Sequence, residues 1–313
     1  MSIWRDVPGV ATEPRRQPAV VTIGNFDGVH RGHQHLLAAA ASVGRPVVAV
    51  TFDPHPARLF APDRAPKLLC TLDRRIELLR EHGADEVRVL AFDRDVAGWS
   101  PEEFIDRVIV GELQATAVIV GENFHFGARA AGNVATLVAA GPAHGFTAQG
   151  VSLATSLRAV DGSSEVLCST LVRDRIAAGD MPGAAAVLGR PHEVSGVVER
   201  GDGRGKDLGF PTANMPVDET YAVPPDAIYA GYVVVDGERH QAAISVGTNP
   251  TFGGVERRVE SFVLDKPGGI DLYHRAIRVE FIQRLRGMEA FDTIDALIAQ
   301  MHDDVAAARE LLG

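Results

Sequence analysis

The sequence predicts an α/β domain with a parallel sheet, followed by a small β-barrel domain with a C-terminal helix. Short apolar runs alternate with helix-length segments through the first half of the 313 residues, which is typical of βαβ units. The second half is dominated by strand patterns, and its last segment has helical spacing. A chain of this length suits two domains. We predict them at residues 1–186 and 187–313, near a helical stretch that ends in Gly189 and Pro191.

Strand and helix signals alternate along the first half. Apolar runs rich in β-branched residues predict strands at residues 19–24, 46–52, 86–92 and 116–120. Amphipathic spacing predicts helices at residues 28–42, 72–82 and 100–113. The last of these begins with Ser-Pro-Glu-Glu, which supplies an N-cap, a proline at the first helical position and an acidic first turn. Short buried strands separated by such helices predict a parallel sheet.

The second half carries strand patterns from residue 192 to residue 281. The segment VVVDGERH places an Asp-Gly pair between apolar runs, which is a hairpin signal. Residues 292–312 then return to helical spacing. Strands followed by one terminal helix predict a small barrel that the helix covers.

Composition and charge exclude several classes of protein. The chain is 46% hydrophobic and 23% charged, which is ordinary globular composition, and no apolar run is long enough to cross a membrane. The net charge is −10 and both halves are acidic, so we expect neither a nucleic-acid partner nor binding to anionic membranes. The first 18 residues lack the apolar core of a secretory signal, and the two cysteines form no CxxC motif. We therefore expect a cytoplasmic protein with reduced thiols, and the oligomeric state, including self-association, stays open.

The most informative segment directly follows the first predicted strand and reads GNFDGVHRGH, residues 24–33. A strand-to-helix turn offers backbone N–H groups at the positive end of a helix dipole, which is an anion site. His30 and His33 are three residues apart and share one helix face, where both imidazoles can donate to a phosphate of growing negative charge. The candidate phosphate-binding residues of the turn are Gly24, Asn25, Phe26, Asp27 and Gly28.

Two other interpretations of this segment stay open on the residues alone. The histidines can cap and pack a helix, or they can form half of a metal site together with His35. Neither a Walker A loop nor a GxGxxG fingerprint occurs at this turn.

The four residues from His30 to His33 are an unmodified instance of the HxGH signature and resemble the nucleotidyltransferase superfamily. Together with TFDPHP at 51–56, GENFHFG at 121–127 and LCSTLVR at 167–173, the first half resembles the adenylyltransferase module of prokaryotic bifunctional riboflavin kinase/FAD synthetases. The resemblance implies a Rossmann-like nucleotidyltransferase domain in which His30 and His33 are catalytic. It further implies ATP and phosphate contacts from Ser169, Thr170 and Arg173, and flavin contacts from Asn123 and Phe126. Cys168 departs from the family, which usually has a serine there.

The second rich segment is GDGRGKDLGFPTAN, residues 201–214. Its glycines, among them Gly203, Gly205 and Gly209, make a loop whose backbone can wrap phosphates. Thr212 and Asn214 are two residues apart and would face the same side of a strand, where their oxygens suit Mg²⁺ held jointly with phosphates. A glycine-rich hairpin with polar surface residues is the alternative interpretation.

The PTAN sequence at 211–214 resembles the hallmark of riboflavin kinases. This resemblance implies that Pro211 and Thr212 bind ATP, that Thr212 and Asn214 hold Mg²⁺, and that Glu260 is the general base. It also suggests Arg309, in the final helix, as a flavin contact. Ala227 and Phe262 stand where the family more often has glycine and histidine.

The two resemblances together imply a bifunctional enzyme of flavin cofactor synthesis. The C-terminal domain would phosphorylate riboflavin to FMN, and the N-terminal domain would adenylylate FMN to FAD, with ATP as co-substrate and Mg²⁺ as cofactor. The alcohol of riboflavin needs a base such as Glu260, whereas the phosphate of FMN is already largely ionised and needs only charge stabilisation. The alternatives are an HxGH transferase acting on another phosphate monoester, and a non-catalytic flavin- or nucleotide-binding regulator.

Overall fold

The computed structural model describes residues 3–5, 17–152, 155–158, 164–200, 209–248, 257–266 and 270–313. Its contacts divide the chain into two units. The first unit comprises Met1–Pro66 and Thr71–Cys168, and the second comprises Lys67–Cys70 and Ser169–Gly313. The predicted boundary after residue 186 lies later in the chain than this division and stays a prediction.

The first unit alternates strands and helices, as predicted. Its strands are β1 Ile3–Arg5, β2 Ala19–Ile23, β3 Val47–Asp53, β4 Glu86–Ala91, β5 Ala115–Gly121, β6 His125–Phe126, β7 Gly132–Asn133, β8 Thr147–Val151, β9 Thr155–Arg158 and β10 Ser164–Val166. Its helices are α1 Arg31–Val43, α2 Pro56–Phe60, α3 Leu72–Glu81, α4 Arg94–Gly98, α5 Pro101–Phe104 and α6 Val134–His144. A π-helix, Ile105–Glu112, continues α5, and 3₁₀ turns cover Pro62–Arg64 and Ala128–Ala130.

A six-stranded parallel sheet organises the first unit, with strand order β1-β4-β3-β2-β5-β8. Its central strands, β2 to β5, are largely buried on both faces. Val21 and Ile23 of β2 pack into the cluster that contains the π-helix, whereas Val20 packs into the cluster that contains α1 and α3. This alternation is expected of a strand whose successive side chains point to opposite faces. The predicted α/β class with a parallel sheet is therefore confirmed.

The strand order reverses direction at β2. From β2 the chain proceeds to β3 and β4 on one side, and then crosses to β5 on the other side. Ligands of open α/β sheets bind at such a switch point, beyond the carboxyl ends of the strands. The fold thus brings together the turn after β2, which carries HxGH, and the loop after β5, which carries Asn123 and Phe126.

Several features of the first unit were not predicted, including α6 and the edge strand β8. Strand β1 pairs in parallel with β4 at the edge of the sheet. The helix predicted at residues 100–113 begins as expected, with reciprocal hydrogen bonds between Ser100 and Glu103, but it changes to a π-helix after Phe104. Leu113 accordingly donates to the carbonyl of Val108 at 2.9 Å, which is an i to i−5 bond.

The second unit contains two helices, an antiparallel sheet and a terminal helix. The elements are α7 Ser169–Ala177, α8 Met181–Leu188, β11 His192–Val197, β12 Ala213–Pro216, β13 Ala227–Val235, β14 Glu238–Thr248, β15 Arg257–Val263, β16 Ala276–Gly287 and α9 Ile294–Leu312. The strand order is β11-β16-β13-β14-β15-β12, and a bridge between Glu199 and Asn214 brings the two edges together. Asp236 and Gly237 both have positive φ, so they form the predicted hairpin turn. The predicted small barrel with a C-terminal helix is confirmed.

Helix α9 covers one side of this barrel. Ala308 is fully buried against Ala230 and Leu264, and Val305 packs at the margin of the same cluster. Within the described ranges, no helix has the length and apolar character needed to span a bilayer.

A buried histidine at the start of the barrel gives a testable pH dependence. His192 is 1% exposed, its Nε2 lies 2.8 Å from the carbonyl oxygen of Ala222, and burial lowers its pKa to about 4. At a pH between about 4 and about 6.5, His192 is protonated in the unfolded chain but stays neutral in the folded chain. The stability of the second unit should therefore fall as the pH drops from about 6.5 to about 4, by about 3 kcal/mol in all.

The replacement His192→Gln should remove most of this pH dependence. Unfolding of the second unit can be followed through tyrosine, because all four tyrosines lie in it and both tryptophans lie in the first unit. The measurement compares the unfolding free energy of the two proteins at about pH 7 and about pH 5. An equal loss of stability in both proteins would show that His192 is not the responsible group.

Candidate functional site

The turn between β2 and α1 is tied to the neighbouring strand. The backbone N–H of Gly24 donates to the carbonyl of Val50 at 3.1 Å, and the hydroxyl of Thr51 donates to the carbonyl of Asn25 at 3.0 Å. Phe26 and Val29 have positive φ values of 49° and 39°, and both side chains are fully buried. Non-glycine residues hold this conformation only where the surrounding packing enforces it. The turn is therefore held in one shape by β3 and by its own buried side chains.

The first histidine of the motif caps α1. His30 is 5% exposed, and its Nδ1 accepts a hydrogen bond from the N–H of Gly32 at 3.2 Å. An imidazole that accepts at Nδ1 carries its proton on Nε2 when it is neutral. This cap thus makes Nε2 the donor of His30.

The second histidine stacks on the first. The ring centroids of His30 and His33 are 3.7 Å apart, and the ring of Phe26 meets His33 edge-on at 5.1 Å. Burial, then the neighbouring His30 and the charge of Arg75, lower the pKa of His33 well below its ordinary value. Its Nδ1 is buried and has no hydrogen-bond partner within the described ranges. At neutral pH, His33 is therefore a neutral imidazole that can donate one hydrogen bond.

Position 32 of the motif needs a glycine because a side chain would not fit there. A Cβ on Gly32 would lie 2.9 Å from the carbonyl oxygen of Leu167 and 3.0 Å from Cε1 of His30. A side chain at this position would push either the backbone or the catalytic candidate away. The HxGH spacing is therefore explained by packing as well as by chemistry.

A cavity of about 860 Å³ opens beside this turn. Gly24 and Asn25 of the turn line it together with Asn123 and Phe126 of the loop after β5. The other lining side chains include the aromatic rings of Phe52, Phe60, Phe92, Phe104 and Phe124. Rings of Phe124 and Phe126 stack with centroids 5.6 Å apart. The predicted phosphate-binding turn and the predicted flavin loop thus share one apolar cavity, which suits a planar ring with an anionic substituent.

Other predicted residues of the turn are placed differently. The side chains of Phe26 and Asp27 are almost fully buried, at 0% and 1% exposure, so they support the turn from within. Any contact of these two residues with a phosphate would have to come from the backbone. Their role in ATP binding stays a prediction.

The predicted residues Ser169, Thr170 and Arg173 belong by their contacts to the second unit. Ser169 and Thr170 start α7, and Arg173 Nε donates to the carbonyl of Lys67 at 2.6 Å. Their assignment to the triphosphate stays a prediction.

The second unit gathers a separate polar cluster from β12 and β15. Asn214 and Glu260 are cross-strand partners, and Thr212 precedes β12 by one residue. The hydroxyl of Thr212 lies 3.5 Å from a carboxylate oxygen of Glu260, and Nδ2 of Asn214 lies 3.4 Å from that hydroxyl. Burial alternates along β15, so Glu260 points away from the core that takes Val259 and Ser261. The three side chains that the sequence singled out are therefore brought together.

Thr212 lines two cavities at once. One, of about 230 Å³, is largely apolar and is lined also by Glu260, Phe262 and Asp304. The other, of about 250 Å³, is lined also by Pro211, Ser261 and Tyr273. A hydroxyl shared by two cavities, with a carboxylate beside it in one of them, is suited to transfer of a group between two bound molecules.

The structure describes two of the four other predicted residues of this unit, Arg309 and Gly209. Arg309 is exposed and pairs with Asp265 at 2.7 Å, and it does not line the cavity that contains Glu260. Gly209 has φ +86°, which favours glycine, at the edge of the glycine-rich loop. Gly203 and Gly205 lie outside the described residues.

The donor chemistry of the cluster fits a magnesium ion. A hydroxyl, a carboxamide and a carboxylate supply the hard oxygen ligands that Mg²⁺ prefers when it is shared with phosphates. Turning the amide of Asn214 would present its oxygen in place of its nitrogen. Among the described residues, no three His, Cys, Asp or Glu side chains come together as a metal site of their own, and this includes the surroundings of His30, His33 and His35.

Comparisons with known proteins agree with both sites. Residues 12–165 match the profile of the FAD synthetase family, and residues 188–312 match that of the riboflavin kinase family. The chain is 36% identical to the bifunctional riboflavin kinase/FMN adenylyltransferase of Escherichia coli over 100% of this chain and 98% of that protein. It is 38% identical to the protein of the same name from Pseudomonas fluorescens, over 95% and 94% of the two chains. The chain belongs to the bifunctional riboflavin kinase/FMN adenylyltransferase family.

A solved structure supports the fold over both units of this family member. It is described as a macrolide-efflux protein from Streptococcus pneumoniae, and it is 28% identical with a TM-score of 0.83 over 95% of each chain.

The departures from the family pattern fall at packed positions. Phe262 lines the cavity beside Glu260, and its ring meets that of Phe210 at 5.2 Å. Ala227 is fully buried in β13, and Cys168 is half-buried just before α7.

The sequence interpretation missed several residues of the first site. Arg75 is a fully buried arginine that lowers the pKa of His33, and its side chain bonds to the end of β3. The phenylalanines at 52 and 92 line the cavity from the ends of two strands. Their position at strand ends was a usable signal, because ligands of parallel sheets bind there.

Proposed function

We propose that this chain phosphorylates riboflavin to FMN in its second unit and adenylylates FMN to FAD in its first unit, with ATP as co-substrate in both reactions. The observation that carries the proposal is that each unit couples an anion-binding motif to a cavity fit for a flavin. In the first unit these are the turn at Gly24 and Asn25 and the phenylalanine-lined cavity. In the second they are the PTAN segment and the cavity that contains Glu260.

In the first unit, an oxygen of the FMN phosphate attacks the α-phosphorus of ATP and pyrophosphate leaves. The attacking phosphate monoester has a second pKa of about 6, so it is mostly ionised at neutral pH and needs no general base. What remains is to stabilise charge on the α-phosphate and on pyrophosphate. The Nε2 proton of His30, the neutral imidazole of His33 and the N-terminal end of α1 are suited to this work.

The isoalloxazine ring of FMN is assigned to the phenylalanine-lined cavity. A flat aromatic ligand gains from burial and from offset or edge contacts with rings such as those of Phe124 and Phe60. The exposed amide of Asn123 offers polar contacts at the rim of the cavity.

In the second unit, Glu260 accepts the proton of the 5′-hydroxyl of riboflavin while that oxygen attacks the γ-phosphorus of ATP. The products are FMN, ADP and a proton. Thr212 lies between the two cavities, so we assign the flavin to the cavity with Glu260 and Phe262, and the nucleotide to the cavity with Pro211 and Tyr273. Thr212 and Asn214 would hold Mg²⁺, which neutralises charge on the transferred phosphoryl group when it is bound.

We also propose a cytoplasmic enzyme that works without a nucleic-acid partner. Support comes from the low cysteine content, with only two cysteines in the sequence and no CxxC motif, which is usual in a reducing compartment. The net charge of −10 would repel nucleic acids.

Product analysis tests the proposal. The protein is incubated with riboflavin, ATP and MgCl₂, and flavins are separated by chromatography, with FMN expected first and FAD following. A parallel incubation with FMN in place of riboflavin should yield FAD and pyrophosphate. Conversion of neither flavin by wild-type protein would refute the proposal and favour a non-catalytic flavin-binding protein.

A further inference from the structure

The first unit buries the guanidinium of an arginine on α3. The side chain of this residue, Arg75, is 1% exposed, and its Nε has no hydrogen-bond partner in the part of the chain that the structure describes. Among the described residues, no carboxylate pairs with it. The preceding Arg74 differs, because it pairs with Glu77 and Glu81 at 3.0 and 2.8 Å. A buried, unpaired guanidinium is costly to a folded protein, so its retention calls for a reason outside stability.

The side chain of Arg75 donates its hydrogen bonds to the end of β3, next to the HxGH turn. One terminal nitrogen donates to the hydroxyl of Thr51 at 3.2 Å and to the carbonyl of Phe52 at 3.0 Å. The hydroxyl of Thr51 in turn donates to the carbonyl of Asn25 in the HxGH turn. A relay of two hydrogen bonds thus runs from α3 through the end of β3 to the backbone that faces the cavity.

The positive charge of Arg75 also acts on His33 of the HxGH motif. It is one of the three causes that lower the pKa of His33. Its effect on an anion at the turn should be of the opposite sign and favourable, because a charge in a low-dielectric interior is little screened.

We propose that Arg75 is a positioning residue for adenylyl transfer. Through Thr51 it holds the turn at Asn25 in place, and its uncompensated positive charge favours the phosphate groups bound at that turn. The phosphate groups of the bound substrate would then provide the negative charge that balances Arg75. This inference rests on the proposed adenylylation of FMN in the first unit.

The test uses four variants of the full chain. Arg75→Met removes charge and relay, Arg75→Lys keeps the charge but loses the planar fork, and Thr51→Val breaks the relay and keeps the charge. Arg74→Met is the matched control, since it removes the neighbouring guanidinium from the same helix. Folding of the first unit is checked by tryptophan fluorescence, because both tryptophans lie in that unit. Riboflavin phosphorylation by the second unit is measured on the same samples.

Two readouts separate the relay from the charge. For FAD formation from FMN, we expect kcat to fall on the order of 10²-fold in Arg75→Met and about 10-fold in Arg75→Lys and Thr51→Val. For inorganic pyrophosphate as a competing ligand, affinity should weaken about 10-fold in Arg75→Met and change little in the other two. Arg74→Met should behave like the wild type in both measurements.

The possible results either support the inference about Arg75 or overturn it. Folded variants at Arg75 that keep the wild-type kcat and pyrophosphate affinity overturn the inference. If Arg75→Met does not fold, the lysine and valine variants carry the test, and wild-type kcat in both overturns it. Loss of kcat in proportion to lost folded protein alone would indicate a structural role and also overturn it. A wild-type protein that makes no FAD would instead refute the proposed function.

Discussion

Replacing His30 with alanine should abolish FAD formation and leave FMN formation intact. The imidazole is held at the N-terminus of α1 with Nδ1 accepting from Gly32, so that its Nε2 proton is directed by the cap. Removing one preorganised donor from a site that stabilises developing charge costs on the order of 10²–10³ in turnover. We therefore expect FAD formation from supplied FMN and ATP to fall by at least that factor, measured by chromatography of the flavins.

The alanine variant also removes a helix cap, which costs about 1 kcal/mol of stability. His30→Asn separates the two effects, because asparagine is a good N-cap but lacks the imidazole. We expect this variant to regain stability and not turnover. His35→Ala is the matched control, since His35 is exposed on the same helix. Wild-type turnover in the asparagine variant would mean that His30 acts as a cap alone.

The division of labour predicts a further result with the same protein. Riboflavin phosphorylation by His30→Ala should proceed at the wild-type rate, so that FMN accumulates. The reason is that Glu260 and Thr212 lie in the second unit, whereas His30 lies in the first. Equal loss of both activities in a folded variant would refute separate sites for the two reactions.

The residues that could be predicted from sequence are those whose local context fixes their position. A strand followed by a turn and a helix places His30 and His33 on one face by spacing alone, and the structure stacks their rings at 3.7 Å. Two-residue spacing along a strand likewise orients Thr212 and Asn214 together. In both cases the chemistry follows from neighbours in the chain, so no long-range information is needed.

Residues brought in by the fold were harder to predict. In residues 72–82, Arg74 and Arg75 are adjacent, and their charge alone marks both as candidates for the solvent face. Arg75 nevertheless lies three residues after Leu72 and four before Leu79, which puts it within the apolar stripe. That position was a signal for burial, but only the register of α3 against β3 could reveal its bonds to Thr51 and Phe52.

The boundary between the two units could not be predicted from local sequence patterns either. Residues 67–70 lie within the first half of the sequence, yet they belong by contacts to the second unit, where Leu68 pairs with Tyr221. The turn signals of the sequence lie near Gly189, whereas the contacts change at Ser169. A sequence boundary follows composition and turn signals, and a structural boundary follows pairing partners that are distant in the chain.

Replacing Glu260 with glutamine should have the converse effect to the change at His30. Glutamine keeps the shape of the side chain and can still accept from Thr212, but it cannot take a proton from the 5′-hydroxyl of riboflavin. General-base catalysis by a positioned carboxylate contributes on the order of 10²–10⁴. We therefore expect riboflavin phosphorylation to fall by that factor, while FAD formation from supplied FMN persists.

A carboxylate beside Thr212 and Asn214 has a second possible task as a magnesium ligand, and the same variant distinguishes the two. If Glu260 is the base, kcat stays low at every MgCl₂ concentration, because the lost group is the proton acceptor. If it is a metal ligand, excess MgCl₂ restores kcat and only the apparent magnesium affinity changes. Glu238→Gln, at an exposed carboxylate of β14, is the matched control and should leave both activities unchanged. Recovery of kcat at high MgCl₂ would therefore move Glu260 from proton transfer to metal binding, and would leave the alcohol of riboflavin without an identified base.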